Sequence, residues 1–181
     1  MKQVYKPIAT SDSAVMAFQN RSDWRVIKDA LGRASLATWK PLEVVVARNS
    51  PKHFIFMTGL LVCDSDVWNL LSNAIAGNVE GLPIYDSKHT YYILNATSVL
   101  TDAVDILNST VMASPSTGEV LCVFAYCFNE EVVNGRFLFN VKENREDMFC
   151  SSEFKSIVEE NKLSNLRFVP VPMRRKLIGR Q

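Results

Sequence analysis

The chain has no apolar run long enough to cross a bilayer, no apolar leader and no surplus of either charge. Its longest apolar stretches, such as Val120 to Phe128, reach about half of the ~20 residues a spanning helix needs. The segment Met1-Lys2-Gln3-Val4-Tyr5-Lys6-Pro7 lacks the apolar centre of a secretory signal. These absences predict a protein without a membrane segment, placed in the cytoplasm of the producing cell. Twenty basic and 19 acidic side chains leave a formal net charge of +1. A dedicated nucleic-acid binder usually shows a strongly basic domain or face, so no nucleic-acid partner is expected.

Chemistry-bearing patterns are equally sparse. The seven glycines form no phosphate-cradling loop, and no Gly-x-Ser-x-Gly elbow exists. The two histidines, His53 and His89, stand apart beside Lys52 and Lys88, which are surface settings. Asp102 and Asp105 are three residues apart, as are Glu143 and Glu146; either pair would share a helix face, and solvated charge is the simpler reading. Four cysteines suit a reducing compartment rather than a disulfide framework. Cys122 and Cys127 would point to opposite faces of one strand and cannot share a metal. Cys63 and Cys150 close apolar strands and read, like the other two, as small buried hydrophobes. No catalytic, cofactor-binding or metal site is expected, and the chain is read as a non-enzyme.

What the chain does contain is a scaffold. Hydrophobic residues make up 48% and charged residues 22% of 181, the composition of an ordinary globular protein read here as one domain spanning residues 1–181. Two stretches spell the same unit 87 positions apart, residues 62–84 and 149–171. Cys63 falls on Cys150, Ser65 on Ser152, Leu70 on Ile157 and Pro83 on Pro170. In each, an apolar strand ends at Cys, a Ser or Asp caps a helix with apolar residues three and four apart, and a second extended segment ends at Pro.

Around these units the pattern predicts further elements. Val4-Tyr5 reads as an edge strand closed by Pro7, and residues 8–22 as loop. A helix starts at Asp23 with Ser22 as its cap and Gly32 as its stop, and Leu42 to Ala47 forms a strand. Asn49-Ser50-Pro51 is a turn, and Phe54 to Cys63 is two strands bent at Thr58-Gly59. The first repeated helix runs from Ser65 to Ala76 with Val67, Leu70 and Leu71 inward. Leu82–Tyr85 and His89–Leu94 form a hairpin through Asp86. Residues 95–108 fit a helix only weakly, and Pro115 to Gly118 is a turn. Val120 to Phe128 is the strongest strand and brackets an Asn134-Gly135 turn with Arg136–Val141. Residues 142–147 read as a solvated loop, and the basic stretch from Met173 to Gln181 as a solubilising end. Strands outnumber helices, which predicts an α+β fold with a mainly antiparallel sheet, a few helices and two similar strand–helix–strand units.

The stretch Leu82-Pro83-Ile84, the strand Tyr91-Tyr92-Ile93-Leu94-Asn95, Asp105 with Ser109, Arg136-Phe137-Leu138-Phe139-Asn140, Met148 to Lys155 and Leu166 to Val171 resemble an immunity-protein family of bacterial polymorphic toxin systems, first named from a myxobacterial member. The resemblance covers Phe54 to Val171 and fades in the first fifty residues. It implies a protein that binds and neutralises a cognate protein toxin, and it brings no catalytic residues. Trp24, Arg33 and Trp39, with Phe18 nearby, lie in the less typical part and are the candidate partner-binding residues; core packing is the alternative for both tryptophans. Two rival readings stay open: an enzyme whose site assembles only in three dimensions, and a homodimeric structural or regulatory protein whose sheet edge pairs with itself.

Overall fold

A computed structural model describes residues 3–48, 52–57, 59–75, 77–97 and 99–174. In chain order these form β1 (Val4–Ala9), β2 (Val15–Phe18), α1 (Asp23–Ala30), a 3-10 turn at Leu36–Thr38, β3 (Leu42–Arg48), β4 (Phe54–Met57), β5 (Leu60–Asp64) and α2 (Ser65–Ser72). Next come β6 (Val79–Tyr85), β7 (Thr90–Ala96), β8 (Val99–Leu100), β9 (Thr110–Ala113), β10 (Val120–Ala125) and β11 (Phe128–Asn129). The chain continues with α3 (Glu130–Val133), β12 (Leu138–Val141), β13 (Asn144–Ser151), α4 (Ser152–Glu160), β14 (Leu166–Val171) and β15 (Met173–Arg174). The fold is α+β with mainly antiparallel pairing, as the strand-rich pattern predicted.

Strands β2-β3-β6-β7-β5-β4 close into a barrel. Closure leaves no free edge, and alternate side chains must fill the interior. Val62, Ile93 and Leu82 lie in register across β5, β7 and β6. All three are fully buried, in one core with Met16, Val44, Ile55 and Tyr91. The inner face of α1 adds Ile27 and Ala30 to the same core, followed by Leu31.

A second sheet has the order β14-β1-β13-β12-β8. The two repeated units explain how barrel and sheet relate. β5 and β6 flank β7, with Tyr92 between Cys63 and Pro83. β13 and β14 flank β1 in the same way, with Tyr5 between Cys150 and Pro170. The 87-residue offset therefore holds in space as in sequence. It also holds at the helix starts. The Asp64 carboxylate accepts from the Val67 N–H at 2.9 Å, and the Ser151 hydroxyl from the Phe154 N–H at 3.4 Å. Each cap satisfies one donor that the first turn leaves open, worth about 1 kcal/mol. Val67 and Leu71 of α2, and Phe154 and Val158 of α4, are buried in one shared core. Phe54 of the barrel meets Phe154 there with ring centroids 6.4 Å apart.

Several expectations are corrected. β1 is an inner strand rather than an edge, and Pro7 sits within it. Its ladder to β13 covers only Val4 and Tyr5, so Pro7 follows the point where that ladder stops. Residues 8–22 hold the end of β1 and all of β2. The described residues of 95–108 form no helix, and Asp102 and Asp105 share no helix face; Asp102 has φ 57°. Val120–Phe128 is not one strand: β10 stops at Ala125. Ser109 Oγ accepts from the Cys127 N–H at 2.9 Å, and the Asp105 N–H donates to the Cys127 carbonyl at 2.8 Å, which turns the chain there. β11 pairs with β15, not with β12, because α3 intervenes. The hairpin in this region joins β12 to β13 instead, and residues 144–147 of the expected loop belong to β13. α2 ends at Ser72, and Leu70 is exposed. The turn at Asn49–Pro51, Thr58, the helix end at Ala76 and the basic stretch from Arg175 onward lie outside the described residues.

Candidate partner-binding face

The segment after α1 is held from below by two side chains of the barrel. Asn95, fully buried at the end of β7, accepts from the Gly32 N–H at 3.0 Å and donates to the Arg33 carbonyl at 2.8 Å and the Ala30 carbonyl at 3.4 Å. Glu80 of β6 accepts from the N–H groups of Ser35 at 2.7 Å and Leu36 at 3.1 Å. These two residues do for an irregular segment what a ladder does for a strand: they satisfy its backbone groups. Gly32 turns the chain at φ 74°, and a Cβ there would run into a Val99 methyl group, so a side chain at this position is strained.

This pinned segment carries Arg33 and leads to Trp39, while Trp24 lies on α1 before it. Arg33 is exposed, and among the described residues no ion pair engages its guanidinium. Trp39 is half-buried against the barrel core and its indole N–H donates to the Pro83 carbonyl at 2.8 Å. A hollow of about 370 Å³ opens beside it, lined by Val26, Asp29, Thr38, Trp39 and Leu42 among others. Val26 is 45% and Leu36 47% exposed at this surface. Trp24 is half-buried, its ring edge-on to Phe18 at 5.2 Å, so much of it is core packing. Ser22 stands at the start of α1 but makes no side-chain cap bond. Glu80, Val26 and Leu36 were missed from sequence. Asn95 was visible only as the polar end of an apolar strand, a signal that a buried amide has backbone to satisfy.

Several other polar groups serve the fold. His53 Nδ1 accepts from the Ser164 N–H at 2.8 Å, tying β4 to the segment after α4. His89 lies 3.7 Å from Asp86 at an open hollow of about 620 Å³ lined also by Asp64, Asp66 and Lys88. There Asp86 caps the β6–β7 turn and Asp64 caps α2. Glu143 lies in the β12–β13 turn and Glu146 in β13, where it pairs with Lys28 at 2.9 Å, so they share no helix face. Among the described residues, no group of three His, Cys, Asp or Glu side chains is placed to hold a metal ion. Burial pushes the thiols of Cys63, Cys127 and Cys150 up from the ordinary value. Among the described residues, no helix is long and apolar enough to cross a membrane.

The arrangement offers a fixed surface on a closed scaffold. Residues 85–172 match a family model described as Immunity protein family (Imm11). The matched stretch runs from the end of β6 through β14 and covers just under half of the chain. It includes Asn95, Asp105, Ser109 and the second repeated unit, and leaves Trp24, Arg33 and Trp39 outside. No curated protein matches the chain significantly.

Proposed function

We propose that this chain is a non-catalytic immunity protein that binds and neutralises a cognate toxin in the cytoplasm of the cell producing both. The match of residues 85–172 to the immunity-protein family carries the reading. The partner face includes Arg33 and Trp39, with Trp24 supporting it from the core side. Arg and Trp are the side chains that most often anchor a protein interface. A segment already pinned by Asn95 and Glu80 loses little freedom when a partner docks, so more of the contact energy reaches affinity. Its place outside the matched stretch suits a partner-specific surface on a shared scaffold.

The test is protection. A candidate toxic domain, sought in the neighbouring reading frame, is produced in a sensitive cell with and without the chain. Survival with the chain is expected, and death in both cases refutes the immunity reading. Arg33→Ala and Val26→Asp then address the face. Binding at least tenfold weaker with an unchanged unfolding temperature is expected, and full protection by both variants moves the face elsewhere.

A further inference from the structure

β9 and β10 form a ribbon that pairs with no other described strand. One side packs on the core through Val111 and Val123. Large apolar side chains are also exposed on and beside the ribbon. Leu121 is 57%, Phe124 68% and Met112 48% exposed, and Leu107 just before the ribbon is 95% exposed. Leu121 and Phe124 occupy the two register breaks of β10, where an extra residue is left without a partner and its side chain is re-aimed. β9 has no such break on its own strand, so its outer edge is regular.

Free edges normally carry guards such as charge, proline or bulges. The β14 edge of the five-stranded sheet has Arg167 and Pro170, both exposed. The ribbon has bulges on β10 and nothing on β9. Between Asp105 and Glu130 the single charged residue is Glu119, beside the turn at the ribbon's tip. Charge decides which occupant fits. In a twofold pairing the same patch meets itself, so an edge carrying one sign of charge repels itself. The edge Thr110-Val111-Met112-Ala113 brings no charge to the axis. The exposed apolar side chains offer on the order of a few hundred Å² towards the roughly 800 Å² per partner of a stable interface, the backbone edge of β9 adding the rest.

We infer that the ribbon is a homodimer interface: β9 of one copy pairs antiparallel with β9 of a second, and Met112, Leu121 and Phe124 of both copies close over the junction. The pairing turns two ribbons into one four-stranded sheet, a more stable arrangement than an isolated pair of strands, with the inner face of each ribbon packed on its own core. It shares no residue with the Arg33–Trp39 surface and does not rest on the immunity reading.

Sedimentation of the full chain from 1 to about 50 µM tests it. A dimer is expected across the upper range. Met112→Lys with Phe124→Lys is expected to give a monomer with unchanged circular dichroism, since both residues are exposed. Val169→Lys, on the β14 edge, is expected to remain dimeric. Amide exchange of residues 110–113 in the unmutated chain supplies a second reading that needs no variant, with protection expected to fall on dilution. A monomer at the highest concentration overturns the inference, as does a dimer that survives the double substitution. A monomer whose ribbon variants lose protection against the toxin would make this the toxin face instead.

Discussion

The indole of Trp68 lies against Gly81 so closely that a Cβ there would sit 2.6 Å from its ring atoms, and it stacks on Tyr92 at 5.3 Å. Eighty-seven residues on, Lys155 and Phe168 take the two places. The Lys155 amine lies 5.7 Å from the Tyr5 ring centroid, and Phe168 meets Tyr5 edge-on at 6.1 Å. One unit sets a large residue on the helix over glycine on the strand. The other sets a flexible cation over an aromatic ring. The backbone unit is shared, and the volume is divided differently.

Gly81→Ala is accordingly expected to cost about 1–3 kcal/mol, because the methyl group must displace a packed ring. In a Trp68→Ala background the same change should cost well under 1 kcal/mol by the usual magnitude for a relieved clash. Urea unfolding of the four variants measures the coupling. Equal costs in both backgrounds would show that Trp68 is not what excludes a side chain at Gly81.

Asn95→Ala strips the segment after α1 of its partners at Gly32, Ala30 and Arg33. A loss of about 1–3 kcal/mol is expected for the buried groups left unpaired. Amide exchange of residues 31–36 should accelerate more than that of β6 or β7. Uniform acceleration across the barrel would assign Asn95 to global stability rather than to holding this face.

The β6–β7 turn carries a pH signature at both ends of the scale. Burial works against ionisation of Asp86, but the Lys88 and His89 N–H groups at 2.7 Å each, with the Tyr91 hydroxyl, outweigh it and hold the carboxyl below its ordinary value. Its contribution is therefore present above about pH 4 and lost as pH falls through the depressed value. Burial, then the charge of Asp86, pushes Tyr91 up to about 12. Its contribution is present below about pH 10 and lost as pH rises from there towards 12. Thermal midpoints against pH should show both limbs, with Asp86→Asn flattening the acid limb and Tyr91→Phe the alkaline one. An acid limb unchanged in Asp86→Asn would assign it to other carboxylates.

Thiol accessibility should follow burial. Cys63, Cys127 and Cys150 are buried with raised thiols, whereas Cys122 on the ribbon is half-exposed. Native alkylation is expected to add one label, at Cys122, and unfolding in urea to release all four. Early labelling of Cys63 or Cys150 would mean that the shared core opens readily.

The two repeated units were legible because caps and apolar spacing are local, and Asp64, Ser151, Val67 and Phe154 act where that spacing put them. β1 was misplaced because proline reads as an edge signal, while the ladder it would have broken ends two residues earlier. The long apolar run at Val120–Phe128 hid a break that depends on Ser109 and Asp105, far from it in the chain. Arg33 and Trp39 were named from residue type, but the surface they share depends on Asn95 and Glu80, contributed by two other strands.

The sequence by itself determined the strand-rich α+β class, the twin units and their caps, because each rests on contacts within a few residues. Tertiary structure decided that six strands close into a barrel and that a glycine makes room for Trp68. It also decided that, among the described strands, the ribbon pairs with no other and carries exposed large apolar side chains. Those outcomes depend on which distant strands pair, and pairing is set by packing across the whole molecule rather than by the residues of any one segment.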